Sequence, residues 1–210
     1  MKGVSIEDVP FGEIDAVVLD LDGTLYGSKH FVLRVIMGEL AHLPVLVSER
    51  LTRRFIAGKF FPSGEAFCDA FFGTMAKYLP VSKQYVRNWY YGHYMPLQVK
   101  ILTNHYHAEE WALRLIAECK KRHIALAVLS DYAHVPEKIK ALGYDPDSFD
   151  VVVTGAELGG LKPAGGAMAE VIRRLGATPD RALVIGDKRR ADGGAAAAVG
   201  AKFRLVNKKN

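Results

Sequence analysis

Cysteine is scarce in this 210-residue chain, with only Cys68 and Cys119 present. Neither has metal-site spacing, and both sit in amphipathic surroundings, which excludes a disulfide framework and predicts reduced, partly buried thiols. Long apolar runs are also missing: none approaches the ~18 residues that a membrane-spanning helix needs. The start of the chain lacks the basic-then-apolar pattern of a secretory signal, so a cytoplasmic location with no membrane partner is expected. Neither sign of charge dominates, since 28 Lys and Arg stand against 23 Asp and Glu for a net +5. That small excess suits an anionic small molecule as well as it suits a nucleic acid. The densest basic spots, Lys120 to Arg122, Lys188 to Arg190 and Lys208-Lys209, are short and poor in aromatic neighbours. No nucleic-acid partner is therefore expected. What is present is apolar mass, half of all residues with about a quarter charged (50% and 24%), enough for a real core.

Short apolar runs, each ending in a polar or glycine-bearing turn, alternate with amphipathic stretches. The runs are Ala16 to Leu19, Ile124 to Leu129, Val151 to Val153, Ala182 to Ile185 and Lys202 to Val206. Helical spacing covers Glu109 to Arg122, Pro136 to Leu142 and Gly166 to Leu175, the last two stopped by Gly143 and Gly176. The pattern predicts an α/β fold with a doubly wound parallel sheet. The interval from about Gly27 to Val99 holds helical patterning and no convincing strand, and it is too long for a connection. Breaks at Pro44, Pro62-Ser63-Gly64, Pro80 and Pro96 divide it into a bundle of about four helices. The expected organisation is a Rossmann-like core of residues 1–26 and 100–210 with a smaller inserted α-helical domain over 27–99. The small-residue stretch Gly193 to Gly200 is read as a tightly packed helix.

Chemistry concentrates where Val17-Val18-Leu19 runs into Asp20-Leu21-Asp22-Gly23-Thr24-Leu25. Acids at i and i+2 fall on one side of an extended chain. At the carboxyl end of a central parallel strand they open into the crevice where such sheets bind ligands. Taken alone, such a pair more often caps a turn. Three further segments decide against that reading. Ser130-Asp131 ends the second apolar run; Lys162-Pro163 follows Gly159-Gly160 in a loop that leads into a helix; and Leu183-Val184-Ile185-Gly186-Asp187, followed by Asp192, delivers another acid pair to a strand end.

These four segments, in order, resemble the motifs of the haloacid dehalogenase superfamily: Asp20-x-Asp22-Gly23-Thr24-Leu25, Ser130, Lys162-Pro163 and Gly186-Asp187-x4-Asp192. The resemblance spans the chain and places a cap domain between the first and second motifs. It implies a Mg2+-dependent phosphohydrolase acting on a small phosphorylated metabolite. Asp20 would attack phosphorus and form an aspartyl phosphate, a mixed anhydride that water can later hydrolyse. Asp22 would protonate the leaving oxygen and then take a proton from water. Mg2+ would lie on the carboxylates of Asp20 and Asp187 and on the backbone carbonyl of Asp22, with Lys162 adding positive charge. Thr24, Ser130 and loop N–H groups would hold phosphate oxygens, with Gly23, Asp131 and Gly186 in support. Asp192 would orient Lys162 or the waters on the metal.

Two departures stand out. Lys188-Arg189-Arg190 follows Asp187 where relatives carry a small residue, and Ala164-Gly165-Gly166 follows Lys162-Pro163, which predicts a looser placement of Lys162. Asp22 argues against a dehalogenase, which has no leaving alcohol to protonate. A phosphonate hydrolase would need a cap lysine, for which Lys29 and Lys59 qualify by location alone. A sugar phosphomutase and a silent anion-binding protein of the same fold are the alternatives. In the insertion, Tyr26, Lys29, His30, Arg34, Arg53, Arg54 and Lys59 are candidate substrate contacts. His105 and His107 read as a helix-entry turn, and His42, His93 and Tyr85 to Tyr94 as structural. A monomer or homodimer is expected.

Overall fold

Where the apolar runs are short and rich in β-branched residues, the chain extends, as it should in a sheet buried on both faces. The computed structural model describes residues 3–206, so the Lys208-Lys209 spot lies outside the described residues. Five strands form one sheet: β1 (Ala16–Leu19), β2 (Ala125–Ser130), β3 (Val151–Thr154), β4 (Ala182–Gly186) and β5 (Lys202–Leu205). All neighbours are parallel, in the order β3-β2-β1-β4-β5. Register places Leu19 beside Val128 of β2 and Ile185 of β4. The chain leaves β1 to build one half of the sheet and returns to its other side for β4, so the reversal of strand order falls between β1 and β4. Open α/β sheets take their ligands at that point.

The period of two along each strand divides the core. Val17, Leu19, Leu126, Val128, Leu183 and Ile185 face one apolar cluster. Ala16, Val18, Ala127, Leu129 and Val184 face the other, covered by α8 (Gly165–Arg174) and α9 (Gly194–Val199). α6 (Glu110–Lys121) and α7 (Val135–Ala141) belong to the first face. In α6 the residues Trp111, Leu115, Ile116 and Cys119 recur at helical spacing and are buried, as an amphipathic helix requires.

Between β1 and β2 lie α1 (Phe31–Gly38), α2 (Leu43–Ile56), α3 (Gly64–Ala76), α4 (Lys83–Trp89) and α5 (Met95–His105). Pro44 starts α2, and Ser63 caps α3 by accepting the Ala66 N–H at 3.1 Å, the usual N-cap bond. Pro96 does not break the chain as its sequence suggests. It sits just after the π-helical residues Tyr90–Tyr94 that join α4 to α5 in one continuous helical run, so its missing N–H falls at an irregular turn of the ladder. Helix α5 also runs through position 99, so the last helix of this segment continues into the part of the chain that packs on α7.

Backbone contacts stitch the helical segment to the sheet. Phe60 bridges Gly160, and the Phe61 N–H donates to the Gly159 carbonyl at 2.7 Å. A Cβ on Gly159, which has φ +87°, would stand 2.3 Å from the Phe61 carbonyl oxygen, so this approach requires glycine. Among the described residues no single helix is long and apolar enough to cross a membrane.

Candidate active site

Strand geometry fixes the first acid. Asp20 leaves β1 with its N–H bonded to the Ile185 carbonyl at 2.9 Å, and its side chain is buried at the carboxyl edge. Its Oδ1 lies 2.5 Å from Lys162 Nζ, and its Oδ2 accepts from Thr24 Oγ1 at 2.7 Å. Lys162 Nζ also lies 2.7 Å from Asp192 Oδ1 and donates to the Leu129 carbonyl at 3.2 Å. A single buried ammonium thus serves two buried carboxylates. Burial pushes the Asp20 carboxyl up to about 7, with Lys162 pulling downward and Asp192 adding to the rise. Lys162 is held charged well above the usual lysine range: desolvation opposes this, and Asp20 and Asp192 overcome it.

The glycines after Lys162 do not loosen it. A Cβ on Gly166 would meet the Phe60 ring at 2.4 Å, and one on Gly165 would meet Ala198 Cβ at 2.9 Å. Both residues are small because chain segments pass close by. The Lys162 N–H is further tied to Asp131 Oδ1 at 3.0 Å, so Asp131 positions the lysine loop.

Asp187 follows β4, and the Gly23 turn nests against it. A Cβ on Gly23, at φ +98°, would lie 2.5 Å from Asp187 Oδ2. One oxygen each from Asp20, Asp187 and Asp192 falls within 4.8 Å of the others. This is a hard, all-oxygen donor set, suited to Mg2+ and unsuited to softer ions. Asp192 is already committed to Lys162 and, through Oδ2, to the Lys188 N–H at 3.0 Å. Asp20, Asp187 and Asp192 could hold a cation between them. Lys188, Arg189 and Arg190 are exposed, and Lys188 Nζ comes within 3.8 Å of Asp187 Oδ1.

Asp22 is the most heavily engaged acid. Tyr26 donates to its Oδ1 at 2.9 Å, Ser130 donates to its Oδ2 at 2.9 Å, and Lys138 Nζ stands 3.5 Å from Oδ1. Desolvation is the largest influence and pushes its pKa up, but Lys138, Ser130 and Tyr26 together hold the carboxyl below its ordinary value. Ser130 Oγ also accepts the Tyr132 N–H at 3.0 Å. Lys138 itself is fully buried, held by Gln98 Oε1 at 2.8 Å, and burial draws its pKa down against the pull of Asp22.

Of the seven candidates in the helical segment, the structure brings Tyr26 and Arg53 to this edge. Arg53 is the deeper surprise. Its guanidinium donates to the Asp131 carbonyl at 2.7 Å and to Tyr90 Oη at 2.9 Å, pairs with buried Glu49, and lies 3.7 Å from the Tyr132 ring centroid. Lys29, His30, Arg54 and Lys59 are exposed, and Arg34 bonds Tyr106 Oη at 3.2 Å. Lys138 and Glu49 escaped the sequence reading. A signal existed for Lys138: Val135, Lys138, Ile139 and Leu142 share one helical face, so the lysine interrupts an apolar stripe.

A parallel sheet that presents paired aspartates, a buried lysine and a third strand-end carboxylate at its reversal point defines an α/β protein equipped to handle an anionic group together with a cation. The chain belongs to the haloacid dehalogenase-like hydrolase family, whose model matches residues 14–200. It is 28% identical over 92% of its length to the glyceraldehyde 3-phosphate phosphatase of Methanothermobacter thermautotrophicus, covering 86% of that protein. In fold it is similar to CbbY from Rhodobacter sphaeroides in complex with phosphate, with TM-score 0.63 and 20% identity, covering 93% of this chain and 87% of that one. A HAD phosphatase from Thermococcus onnurineus gives TM-score 0.61 at 18% identity, covering 94% and 88%. The protein is therefore a hydrolase of that family.

Proposed function

We propose that the protein is a Mg2+-dependent phosphatase that hydrolyses a small phosphorylated metabolite through an aspartyl phosphate on Asp20. The observation that carries this reading is the placement of Asp20 against Lys162, with Asp187 within cation-sharing distance. Mg2+ held by Asp20 and Asp187 would supply Lewis-acid neutralisation of the phosphate charge. Lys162, fixed by Asp192 and Asp131, draws a phosphate oxygen toward Asp20 and offsets the repulsion between dianion and carboxylate. An Asp20 oxygen forms the new bond to phosphorus as the bond to the leaving oxygen breaks. Asp22 gives that oxygen a proton and then takes one from the water that hydrolyses the anhydride. At rest Asp22 is ionised, and an arriving phosphate dianion raises its proton affinity, which prepares it to act as the acid.

Residues 27–99 serve as a cap that closes over the site and limits substrate size. Arg53 links this cap to the Asp131 loop. The relative that acts on glyceraldehyde 3-phosphate makes small phosphorylated acids and aldehydes the first compounds to try. The test is phosphate release from a panel of metabolite monophosphates, with Mg2+ and with EDTA, for wild type and Asp20→Asn. Metal-dependent release that the variant loses is the expected result. Release at the wild-type rate by a well-folded Asp20→Asn protein would overturn the mechanism, and conversion of a sugar phosphate to its isomer without net phosphate release would reassign the protein as a mutase.

A further inference from the structure

Away from the sheet edge, three side chains that the phosphoryl chemistry does not use converge on the joint between α1 and α2. Glu39 ends α1, His42 stands in the single turn before α2, and His93 lies in the π-helical turn before α5. Glu39 is fully buried. Its Oε2 is 3.2 Å from His42 Nδ1, its Oε1 is 3.3 Å from His93 Nε2, and the two imidazole centroids are 4.9 Å apart. One donor atom from each residue lies within 4.8 Å of the other two. Although buried, Glu39 Oε1 accepts no hydrogen bond among the described residues. Such an oxygen ordinarily finds a partner or holds an ion.

We infer that Glu39, His42 and His93 form a second cation site, selective for a transition metal of Zn2+ type and separate from the Mg2+ site. Two imidazole nitrogens and one carboxylate make a donor set that favours Zn2+, whereas the Asp20 site offers only hard oxygens. Zinc bonds of about 2.0–2.1 Å give tetrahedral edges of roughly 3.3–3.4 Å, a spacing the three donor atoms can reach from their separation of at most 4.8 Å. Trp89 Nε1–H donates to Glu39 Oε2 at 3.2 Å, an outer contact of the kind that orients a ligating carboxylate. The side chains of His42 and His93 are 32% and 47% exposed, which provides an entry path and leaves a fourth position for water. A π turn places His93 there, and such turns often mark functional positions. The ion ties the α1–α2 joint to the long helical rod of α4 and α5, so it stiffens the helical segment and stands apart from the reacting atoms.

Zn2+, and Co2+ as a spectroscopic probe, are titrated into the full chain with saturating Mg2+ present to occupy the carboxylate site. One equivalent of Zn2+ should bind. Co2+ should give the intense visible bands of four-coordinate geometry, and Tm should rise by roughly 5–10 °C at a hundredfold excess over Kd. His42→Ala and His93→Ala should each weaken binding by on the order of 100-fold, and both should keep Mg2+-supported turnover. His93→Gln, a milder change, keeps the test decisive if an alanine variant misfolds. Absence of Zn2+ binding, or binding at an undiminished stoichiometry in both histidine variants, would overturn the proposal. Binding of the second kind would belong to others of the seven histidines, leaving Glu39, His42 and His93 as a packing cluster without an ion.

Discussion

Replacing Lys138 with Met removes a fully buried ammonium and keeps most of its volume. At 3.5 Å from Asp22 Oδ1, the pair attracts by roughly 5 kcal/mol before solvation is counted, with an effective dielectric of about 20. Taking the ammonium out of water offsets part of that. Asp22 keeps its bonds from Tyr26 and Ser130, so Lys138→Met should cost a net of about 2–4 kcal/mol at neutral pH, near the lower end for a broken buried pair. In an Asp22→Asn background no charge is stranded, and the same replacement should cost about 1 kcal/mol or less. Urea denaturation of the four proteins at pH 7.5 closes the cycle, with an expected coupling of about 2–3 kcal/mol. Additivity within about 0.5 kcal/mol would refute the claim that Lys138 is the cation of Asp22. The coupling belongs to the ionised carboxyl, whose native pKa is lowered. It is therefore present above the ordinary carboxylate range and fades as pH falls through the native value.

Asp20 has the opposite sign: its native value near 7 exceeds the unfolded value, so the metal-free protein should lose stability as pH rises from about 4 to 7. Asp20→Asn should flatten that slope and melt higher than wild type at pH 8, as followed by thermal scans with EDTA; equal slopes would refute it. Arg53→Met strands buried Glu49 and should cost about 3–5 kcal/mol, whereas adding Glu49→Gln should recover a good part of the loss in urea titrations. No recovery would mean that the pair does not act as a unit. Gly23→Ala forces a Cβ into Asp187 Oδ2 at a positive φ, so it should abolish Mg2+-supported turnover in a protein that still folds by circular dichroism; retained turnover would remove Gly23 from the site.

The strands and their order of chemistry were legible because buried parallel strands leave continuous apolar runs with an acid or hydroxyl residue at the end. Ala16–Leu19 matches its run, and β2 differs only by starting one residue later and taking in Ser130. Asp20, Thr24, Lys162, Asp187 and Asp192 meet at one edge because each follows an element whose end is fixed by sheet register. What the sequence hid depends on long-range partners. Glu49 looks like an ordinary charge on an amphipathic helix, and although Lys138 interrupts an apolar stripe, only tertiary packing reveals that each lies buried against a specific opposite charge. Pro96 misled for a related reason, since a proline carried by a π turn inside a continuous helix and a proline that ends one look alike without the hydrogen bonds. The glycines after Lys162 suggested freedom, but Phe60 and Ala198 fill the space a side chain would need.

The bridge from Phe60 to Gly160 couples the helical segment mechanically to the loop that carries Lys162. The same glycines that lead into Lys162 form the seat of the α2–α3 connection. Changes at positions 59–64 therefore reach the seat of the buried ammonium as well as the helical segment. A change on one side of the bridge has to be matched by a compensating change on the other.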